Sequence, residues 1–286
     1  MKLKNLLVPT AASMIFSLLA SCNSGDGSSK NATEAAPAAD ITELDVSVSL
    51  MSAAKSYDIV IGQDSMHLVM SASVQWPQKM GNHDLKAFQD SILNFAFPQH
   101  TSADVKQAIA SYVNDVESTG LVEAGAVVKP CKETYPDNVN NYSCDIDARL
   151  LEFTDKMMTY QIVESTYLGG AHPNTASRSI TYDFVNSTLL TLSNVIKSES
   201  LPAFADVVKR NLLQQLDMSE REFNQQMLAD RFQVGQDIFI GDGSIYVHYN
   251  AYELLPYSYG TIDVMVSPYE VRDMLTPMAQ KLLLDE

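Results

Sequence analysis

The sequence predicts an α+β fold of two α+β units, each with an antiparallel sheet packed against helices. Segments with alternating apolar residues predict strands, and segments with apolar residues every three or four positions predict amphipathic helices. Tight-turn sequences separate several of the strands, which favours hairpins. Roughly 245 residues remain once an N-terminal leader and a polar stretch are set aside, which is enough for two modest cores.

The N-terminus has the organisation of a bacterial lipoprotein signal peptide. Lys2 and Lys4 precede an apolar run from Leu6 to Leu19, and Leu19-Ala20-Ser21-Cys22 places small residues directly before a cysteine. The run has about fourteen residues, whereas a spanning helix needs about twenty. We therefore expect cleavage before Cys22 and lipid attachment to this cysteine. A plain secretory signal with a chance cysteine is the alternative.

The residues that follow Cys22 predict a flexible tether. Ser, Gly, Ala, Asn and Pro dominate residues 23–40, so this stretch buries too little apolar surface to fold by itself. The expected organisation is a signal peptide at 1–21, a tether at 22–40, an N-terminal α+β domain at 41–168 and a C-terminal α+β domain at 169–286. The lipid on Cys22 implies attachment to a cell-envelope membrane. Asn23, instead of an Asp that favours inner-membrane retention, favours the outer membrane facing the periplasm.

The composition is acidic. The formal net charge is −16 at pH 7 and becomes about −18 when Lys2 and Lys4 leave with the leader. This balance argues against binding to nucleic acid or to an anionic membrane surface through a basic patch. The acidic composition suits a basic partner. Solubility alone also explains the excess of acidic residues.

Two cysteines remain once Cys22 carries lipid. Because Cys131 and Cys144 then lie in an oxidising compartment, we expect them to form a disulfide that closes a turn-rich loop. Their spacing does not match a zinc set, and the histidines, at positions 67, 83, 100, 172 and 248, form no His-x-x-x-His pair. We therefore expect neither a metal nor another cofactor.

Local patterns place the elements of the first unit. Pro77 ends the second strand, Thr101 is an N-cap candidate, and Thr154-Asp155-Lys156 suits a hairpin turn. The predicted elements are strands at 44–50 and 66–76, helices at 84–95 and 101–116, and a hairpin of strands 145–153 and 157–167.

The second unit carries stronger start and turn signals. Ser219 with Glu222 is a capping box, Asp242-Gly243 favours a tight turn, and Ser267-Pro268 with Glu270 predicts a helix start. The predicted elements are strands at 178–185 and 189–192 around a turn at 186–188, helices at 200–216 and 219–230, a hairpin of strands 237–240 and 244–249, a strand at 261–266, and a terminal helix from 267.

Two segments resemble the C-terminal domain of the PdaC/RsiV-like family. The first is Tyr167-Leu168-Gly169-Gly170-Ala171-His172-Pro173-Asn174, followed by Leu192-Ser193-Asn194-Val195-Ile196. The second is IYVHYNAYELLPYSYG at 245–260, with Ser267-Pro268-Tyr269-Glu270 after it. Together they bracket 169–275, and the first unit is similar, by position and pattern, to the domain that precedes it in that family.

The resemblance implies a two-part α+β module outside the cytoplasm. In this family the module occurs on anti-sigma factors of the RsiV type, where it is the receptor for lysozyme, and beside a polysaccharide deacetylase domain that modifies peptidoglycan. The sequence shows neither a sigma-binding segment with a spanning helix nor a deacetylase domain. We therefore expect ligand binding at the envelope rather than signalling or deacetylation.

The loop around His172 and a set of tyrosines are the candidate binding features. In Gly169-Gly170-Ala171-His172-Pro173, the imidazole either lines a cleft as a proton donor or packs within a strand-connecting loop. Tyrosines offer amphipathic surface at low side-chain entropy, although they also pack on helices. The candidate binding residues are His172, Asn174, Tyr246, Tyr249, Tyr252, Tyr257 and Tyr259.

Sequence motifs for catalysis are weak. There is no Gly-x-Ser-x-Gly elbow, and pairs such as Asp145 with Asp147 or Asp237 with Asp242 arise by chance among 35 acidic residues. The first hypothesis is a non-enzymatic envelope lipoprotein that binds lysozyme-type muramidases or peptidoglycan. The alternative is a peptidoglycan-active hydrolase or deacetylase that uses carboxylates or His172. A third hypothesis is a structural lipoprotein with a protein partner only.

Overall fold

The computed structural model describes residues 45–100, 102–131 and 141–284. The predicted signal peptide, the lipidation site Cys22 and the predicted tether lie outside the described residues. None of the helices in the described part of the chain is long and apolar enough to cross a membrane.

Ten strands and six α-helices occur in the described ranges. The strands are β1 (Val46–Ile61), β2 (Asp64–Met80), β3 (Val127–Cys131), β4 (Asn141–Phe153), β5 (Met157–Tyr167), β6 (Asn174–Asp183), β7 (Thr188–Leu189), β8 (Ile238–Gly241), β9 (Ser244–Tyr249) and β10 (Ile262–Val266). The helices are α1 (Lys86–Ala96), α2 (Val105–Asn114), α3 (Leu192–Val195), α4 (Leu201–Gln215), α5 (Glu220–Gln226) and α6 (Pro277–Leu283).

The strands form two sheets, which confirms the α+β class. One sheet has seven strands in the order β3-β1-β2-β4-β5-β6-β7, and the other has three in the order β10-β9-β8. β2 and β4 are parallel neighbours, and the other neighbouring pairs are antiparallel. A parallel pair needs a long crossover connection, which here carries α1, α2 and β3.

β1 and β2 form one long hairpin around Gly62, whose φ of 62° suits the tight turn. Side chains alternate between faces along each strand. Ile59 and Leu68 are therefore buried on the helix-covered face, whereas Asp58 and His67 pair across the strands on the other face. The predicted strand at 44–50 covers only the start of β1, because small residues weaken the alternation beyond it.

The first core lies between the seven-stranded sheet and the helices α1 and α2. Phe88 of α1 is fully buried among the rings of Tyr160, Tyr182 and Phe184, with centroid distances of 5.9, 5.5 and 5.9 Å. Ile92, one turn further along α1, is also fully buried. The predicted apolar row of this helix therefore forms the centre of the core.

The second core lies between α4 and the three-stranded sheet. Phe204, Val208 and Leu212 lie four residues apart along α4 and are fully buried, as the sequence pattern predicts. The predicted capping box at the start of α5 is also present. Ser219 accepts a hydrogen bond from the Glu222 N–H, and the Glu222 carboxylate accepts one from the Ser219 N–H.

The predicted helix start at Ser267-Pro268 is wrong. Residues 267–270 form a turn closed by the Glu270 N–H and the Ser267 carbonyl, and the N-cap and first residue of helix α6 lie nine residues later, at Thr276-Pro277. The Glu270 carboxylate is engaged by Arg210 and Asn211 on α4, so it does not cap a helix. A tertiary contact therefore overrides the local capping signal.

The seven-stranded sheet continues across the predicted domain boundary at 168/169. β6, which belongs to the predicted C-terminal domain, pairs with β5 along its whole length. The first core extends to Phe184, whereas the second draws on residues from Leu190 onward together with Met157. The two cores therefore meet at β5 and β6.

A buried hydrogen-bond network joins the two sheets. The Thr159 hydroxyl of β5 donates to the Ile240 carbonyl at 2.7 Å, and the Ile240 N–H of β8 donates to the Thr181 hydroxyl at 2.9 Å. The Thr159 and Thr181 hydroxyls are 2.8 Å apart, which lets Thr181 donate to Thr159. The Ile240 N–H and carbonyl, at the edge of β8, are therefore paired by two threonines rather than by a further strand.

The predicted disulfide between Cys131 and Cys144 is wrong for this fold, because the structure does not join the two sulfurs. Cys131 lies on β3 and Cys144 on β4, and β1 and β2 lie between these strands. Three strand spacings of about 4.8 Å separate the two backbones by roughly 14 Å, whereas a disulfide needs Cα atoms within about 7 Å. Cys144 instead packs in the first core, where burial raises the pKa of its thiol to about 11.

Replacing Thr181 with valine is expected to lower the free energy of unfolding by about 1–3 kcal/mol, because the buried Ile240 N–H loses its acceptor. Urea unfolding measures this change. The matched control is Thr175→Val on the same strand, where Thr175 is partly exposed and water replaces its hydroxyl contact with Ser165. We expect the control to cost less than about 0.5 kcal/mol. Equal losses in the two variants would contradict the network.

Candidate functional site

The glycine loop between β5 and β6 presents His172 at the surface. Gly169 and Gly170 have φ of 95° and 102°, which glycine adopts without steric cost. The imidazole of His172 stacks on the ring of Tyr257, with centroids 3.7 Å apart and planes 13° from parallel. The Tyr257 hydroxyl also donates to the Pro173 carbonyl at 3.2 Å. The loop is therefore fixed against the segment that follows β9.

Tyr252 extends this stack. Its ring lies 5.4 Å from that of Tyr257 at 32°, and 53% of the residue is exposed. Tyr252 also has a φ of 67°, a left-handed conformation that bulky residues rarely adopt. Such strain is often found at binding and catalytic sites. We call the set of exposed His172, exposed Tyr252 and half-buried Tyr257 the aromatic surface.

Tyrosines also hold the other side of the glycine loop. The rings of Tyr142 and Tyr167 stack at 6.4 Å and 25°, and the Tyr167 hydroxyl donates to the Gly170 carbonyl at 3.2 Å. A Cβ at Gly169 would lie 3.4 Å from the ring of Tyr142. Sequence reasoning did not select Tyr142 or Tyr167, because they belong to different strands and are brought together by the β4–β5 pairing.

The remaining predicted tyrosines lie elsewhere. Tyr249 is buried in the second core, where its hydroxyl donates to Gln233 and accepts from the Gly235 N–H, and burial raises its pKa. Tyr246 stacks on Phe239 with centroids 4.9 Å apart. The other two candidates are not part of the stack. The Tyr259 hydroxyl donates to Gln226 at 2.7 Å, and Asn174 is exposed at the start of β6. The structure therefore groups His172, Tyr252 and Tyr257 in one stack, and the other tyrosines make different contacts.

A second group of side chains, which sequence reasoning missed, surrounds His248. The imidazole Nε2 lies 3.0 Å from the Ser177 hydroxyl, and Nδ1 lies 2.6 Å from a carboxylate oxygen of Asp263. These residues come from β6, β9 and β10, so no sequence spacing marks them. A hydroxyl, an imidazole and a carboxylate in this order match the arrangement that activates a serine nucleophile.

Burial and charge shift the pKa of His248 in opposite directions, and this residue is 2% exposed. Burial lowers the pKa of its imidazole, but the hydrogen bond and negative charge of Asp263 outweigh this and raise it. Ser177 lines a cleft of about 180 Å³ together with Glu164, Arg178 and Asn250. The Asn250 amide also bonds both backbone polar groups of Ser177, at 2.7 and 3.0 Å, which fixes β6 beside β9.

Residues 193–269 match a known family model. This segment matches DUF3298, a protein family of unknown function. The DUF3298 segment includes Tyr252, Tyr257, His248 and Asp263, whereas the loop that carries His172 precedes it. No curated protein matches the chain.

Two crystal structures share the fold of this chain. A DUF3298 family member from Bacteroides fragilis NCTC 9343 has 14% identity and a TM-score of 0.62, over 84% of this chain and 99% of that one. A DUF3298 family protein from Pseudomonas aeruginosa PAO1 has 14% identity and a TM-score of 0.54, over 80% of this chain and 95% of that one. At these identities the likeness shows the fold alone.

The raised pKa of His248 predicts a pH-dependent stability. A raised pKa in the folded state means that the protonated imidazole stabilises the fold. This contribution is complete below about pH 6.5, the ordinary histidine value, and is lost as the pH rises through the raised pKa. Asp263→Asn is expected to lower the pKa of His248 and to destabilise the protein more at about pH 5.5 than at about pH 9.

NMR titration of the His248 ring and urea unfolding at the two pH values measure these effects. Asp237→Asn is the matched control, because Asp237 adds a smaller charge effect and does not bond the imidazole. An unchanged His248 titration in Asp263→Asn would show that the carboxylate does not hold the proton.

Proposed function

We propose that this protein is a non-enzymatic, lipid-anchored binding module of the cell envelope whose aromatic surface docks a basic protein of the lysozyme type. The observation that carries the proposal is the surface stack of His172, Tyr257 and Tyr252. It combines large apolar ring faces with a strained backbone at the exposed Tyr252. Folding alone gives little reason to retain a bulky residue in such a conformation.

The chemistry of the surface suits a protein partner. Tyrosine provides contact area at a low entropic cost and is enriched at protein interfaces. The open ring face of Tyr252 is available to arginine and lysine side chains through cation–π contacts. The stack and the Tyr257 hydrogen bond to Pro173 preorganise the rings, which reduces the cost of ordering them on binding.

Charge supports a basic partner. The chain has a formal net charge of −16, and the exposed Glu253 lies next to Tyr252 in the chain. Opposite net charges raise association rates and make binding sensitive to salt. Lysozyme-type muramidases are commonly basic, so they fit both the surface and the charge.

The predicted anchor completes the proposal. Lipid on Cys22 and a tether at 22–40 would hold the module at the outer membrane, facing the periplasm. The DUF3298 match is compatible with the PdaC/RsiV-like assignment, which forms part of this proposal. In that assignment, the lipid takes the place of the spanning helix that attaches RsiV-type receptors.

Variants of the aromatic surface test the proposal. Tyr252→Asn and Tyr257→Ala are each expected to weaken binding of lysozyme by at least about tenfold, or about 1.4 kcal/mol. Asn tolerates the left-handed backbone, so Tyr252→Asn should leave the thermal unfolding temperature unchanged or higher. Tyr269→Ala, at a tyrosine that is 63% exposed, is the matched control and should change affinity by less than about twofold.

Binding of the full chain to immobilised lysozyme at low and high salt provides the measurement, with purified sacculi as a second probe. Loss of binding in the two surface variants only, together with a steep salt dependence, supports the proposal. Retention on sacculi but not on lysozyme would replace the protein partner with peptidoglycan. Retention on neither, or equal binding by all three variants, would overturn the proposal.

A second candidate function is a peptidoglycan-active hydrolase or deacetylase, which the Ser177–His248–Asp263 arrangement favours. In this function, the Ser177 oxygen attacks an acyl carbonyl while the imidazole Nε2 takes the hydroxyl proton, and Asp263 orients the ring. The imidazolium then gives this proton to the amine or alcohol that leaves the acyl carbon, and water hydrolyses the acyl–serine. Because His248 must be neutral to accept a proton and its pKa is raised, activity is expected to increase as the pH rises through that pKa.

Release of acetate, or of amino groups from cleaved stem peptides, from sacculi tests this candidate. Ser177→Ala should abolish release, whereas Ser179→Ala, two residues along β6 and buried, should not. A serine-directed phosphonate should label Ser177 in the wild-type chain. Absence of both release and labelling excludes the second function and leaves the binding module.

A further inference from the structure

Three metal-binding residue types meet on β1, β2 and β3. Asp58 of β1 pairs directly with His67 of β2. Cys131 of β3 pairs with Ser56, two residues before Asp58, so its side chain faces the same side of the sheet. One donor atom from each of Asp58, His67 and Cys131 lies within 4.8 Å of the other two.

This group is separate from the sites described above. Its face of β1 and β2 is opposite the first core, and its residues lie outside the DUF3298 segment. His67 is 5% exposed, and its Nδ1 lies 3.2 Å from a carboxylate oxygen of Asp58. One imidazole nitrogen therefore already faces the carboxylate of the group.

We propose that Asp58, His67 and Cys131 form a site for Zn²⁺. A thiolate, an imidazole and a carboxylate are the three ligand types that zinc takes in proteins. Around a tetrahedral zinc ion, neighbouring ligand atoms lie about 3.5 Å apart. Donor atoms within 4.8 Å of one another exceed that separation by about 1.3 Å at most.

The proposed site also gives Cys131 a chemical role. The fold separates Cys131 from Cys144 by two strands, so these two thiols do not belong to one site. Zinc binds a cysteine as the thiolate, so zinc binding at Cys131 would displace the thiol proton. Bound zinc would tie β3 to β1 and β2 and would leave one tetrahedral position for water or another donor, as in zinc sites with three protein ligands.

Calorimetric titration of the full chain, purified in detergent, reduced and stripped with a chelator, tests the site with Zn²⁺ alone. We expect one Zn²⁺ per chain and a higher thermal unfolding temperature when zinc is present. Cys131→Ser and His67→Gln should each weaken binding by more than about 100-fold, which exceeds the usual loss for a residue that only supports a ligand. Asp58→Asn should also weaken it.

Matched controls separate this site from adventitious binding. Cys144→Ser removes the other thiol among the residues that the structure describes, and His83→Gln removes an exposed histidine. Neither variant should change the affinity for zinc. Co²⁺ replaces zinc as a spectroscopic probe, because a cobalt–thiolate bond gives a charge-transfer band. This band should be present in the wild-type chain and in Cys144→Ser and absent in Cys131→Ser.

Circular dichroism confirms that each variant is folded before titration. Because Cys131 is not part of either core, Cys131→Ser is the decisive variant even if His67→Gln fails to fold. Absence of saturable zinc binding in the wild-type chain would overturn the proposal. Equal zinc affinity in wild type and Cys131→Ser would do the same. The proposal is independent of lysozyme binding, which the Tyr252 and Tyr257 variants test separately.

Discussion

The shared edge between the two sheets is the constraint on which the rest of the molecule depends. β6 has a long partner in β5 but only a two-residue partner in β7, so most of its outer edge lacks a strand. At that edge, the side chain of Asn250, which directly follows β9, bonds the backbone N–H and carbonyl of Ser177. On the neighbouring sheet, the Ile240 N–H of β8 donates to the Thr181 hydroxyl of β6. Unpaired backbone groups are costly when buried, so these contacts fix where the three-stranded sheet lies.

Both candidate sites on the C-terminal half follow from that placement. Fixing β9 beside β6 brings His248 to Ser177, and it carries the segment after β9 to the glycine loop. Tyr257 then meets His172 as a stacked pair, although 85 positions separate them in the chain. A change that moved the three-stranded sheet relative to β6 would break the Ser177–His248 contact and the His172–Tyr257 stack together.

Local chemistry explains why some sequence predictions succeeded and others did not. The capping box at Ser219 and the apolar row of α4 depend on residues within one or two turns, and both are present. The expected helix at Ser267 carries the same kind of signal, but Arg210 and Asn211 take its capping glutamate. The expected disulfide rested on cysteine number and compartment, and strand order, which sequence does not reveal, excluded it.

The sequence by itself determined the α+β class, most helices and hairpins, and the residue types available for binding, because these depend on short-range periodicity and turn chemistry. Tertiary structure alone decided which tyrosines form the aromatic surface: Tyr252 and Tyr257 join His172, whereas Tyr249 supports the second core. It also assembled Ser177 with His248, and Asp58 with His67 and Cys131. Such groups arise from pairing between distant strands, and no spacing along the chain encodes which strands become neighbours.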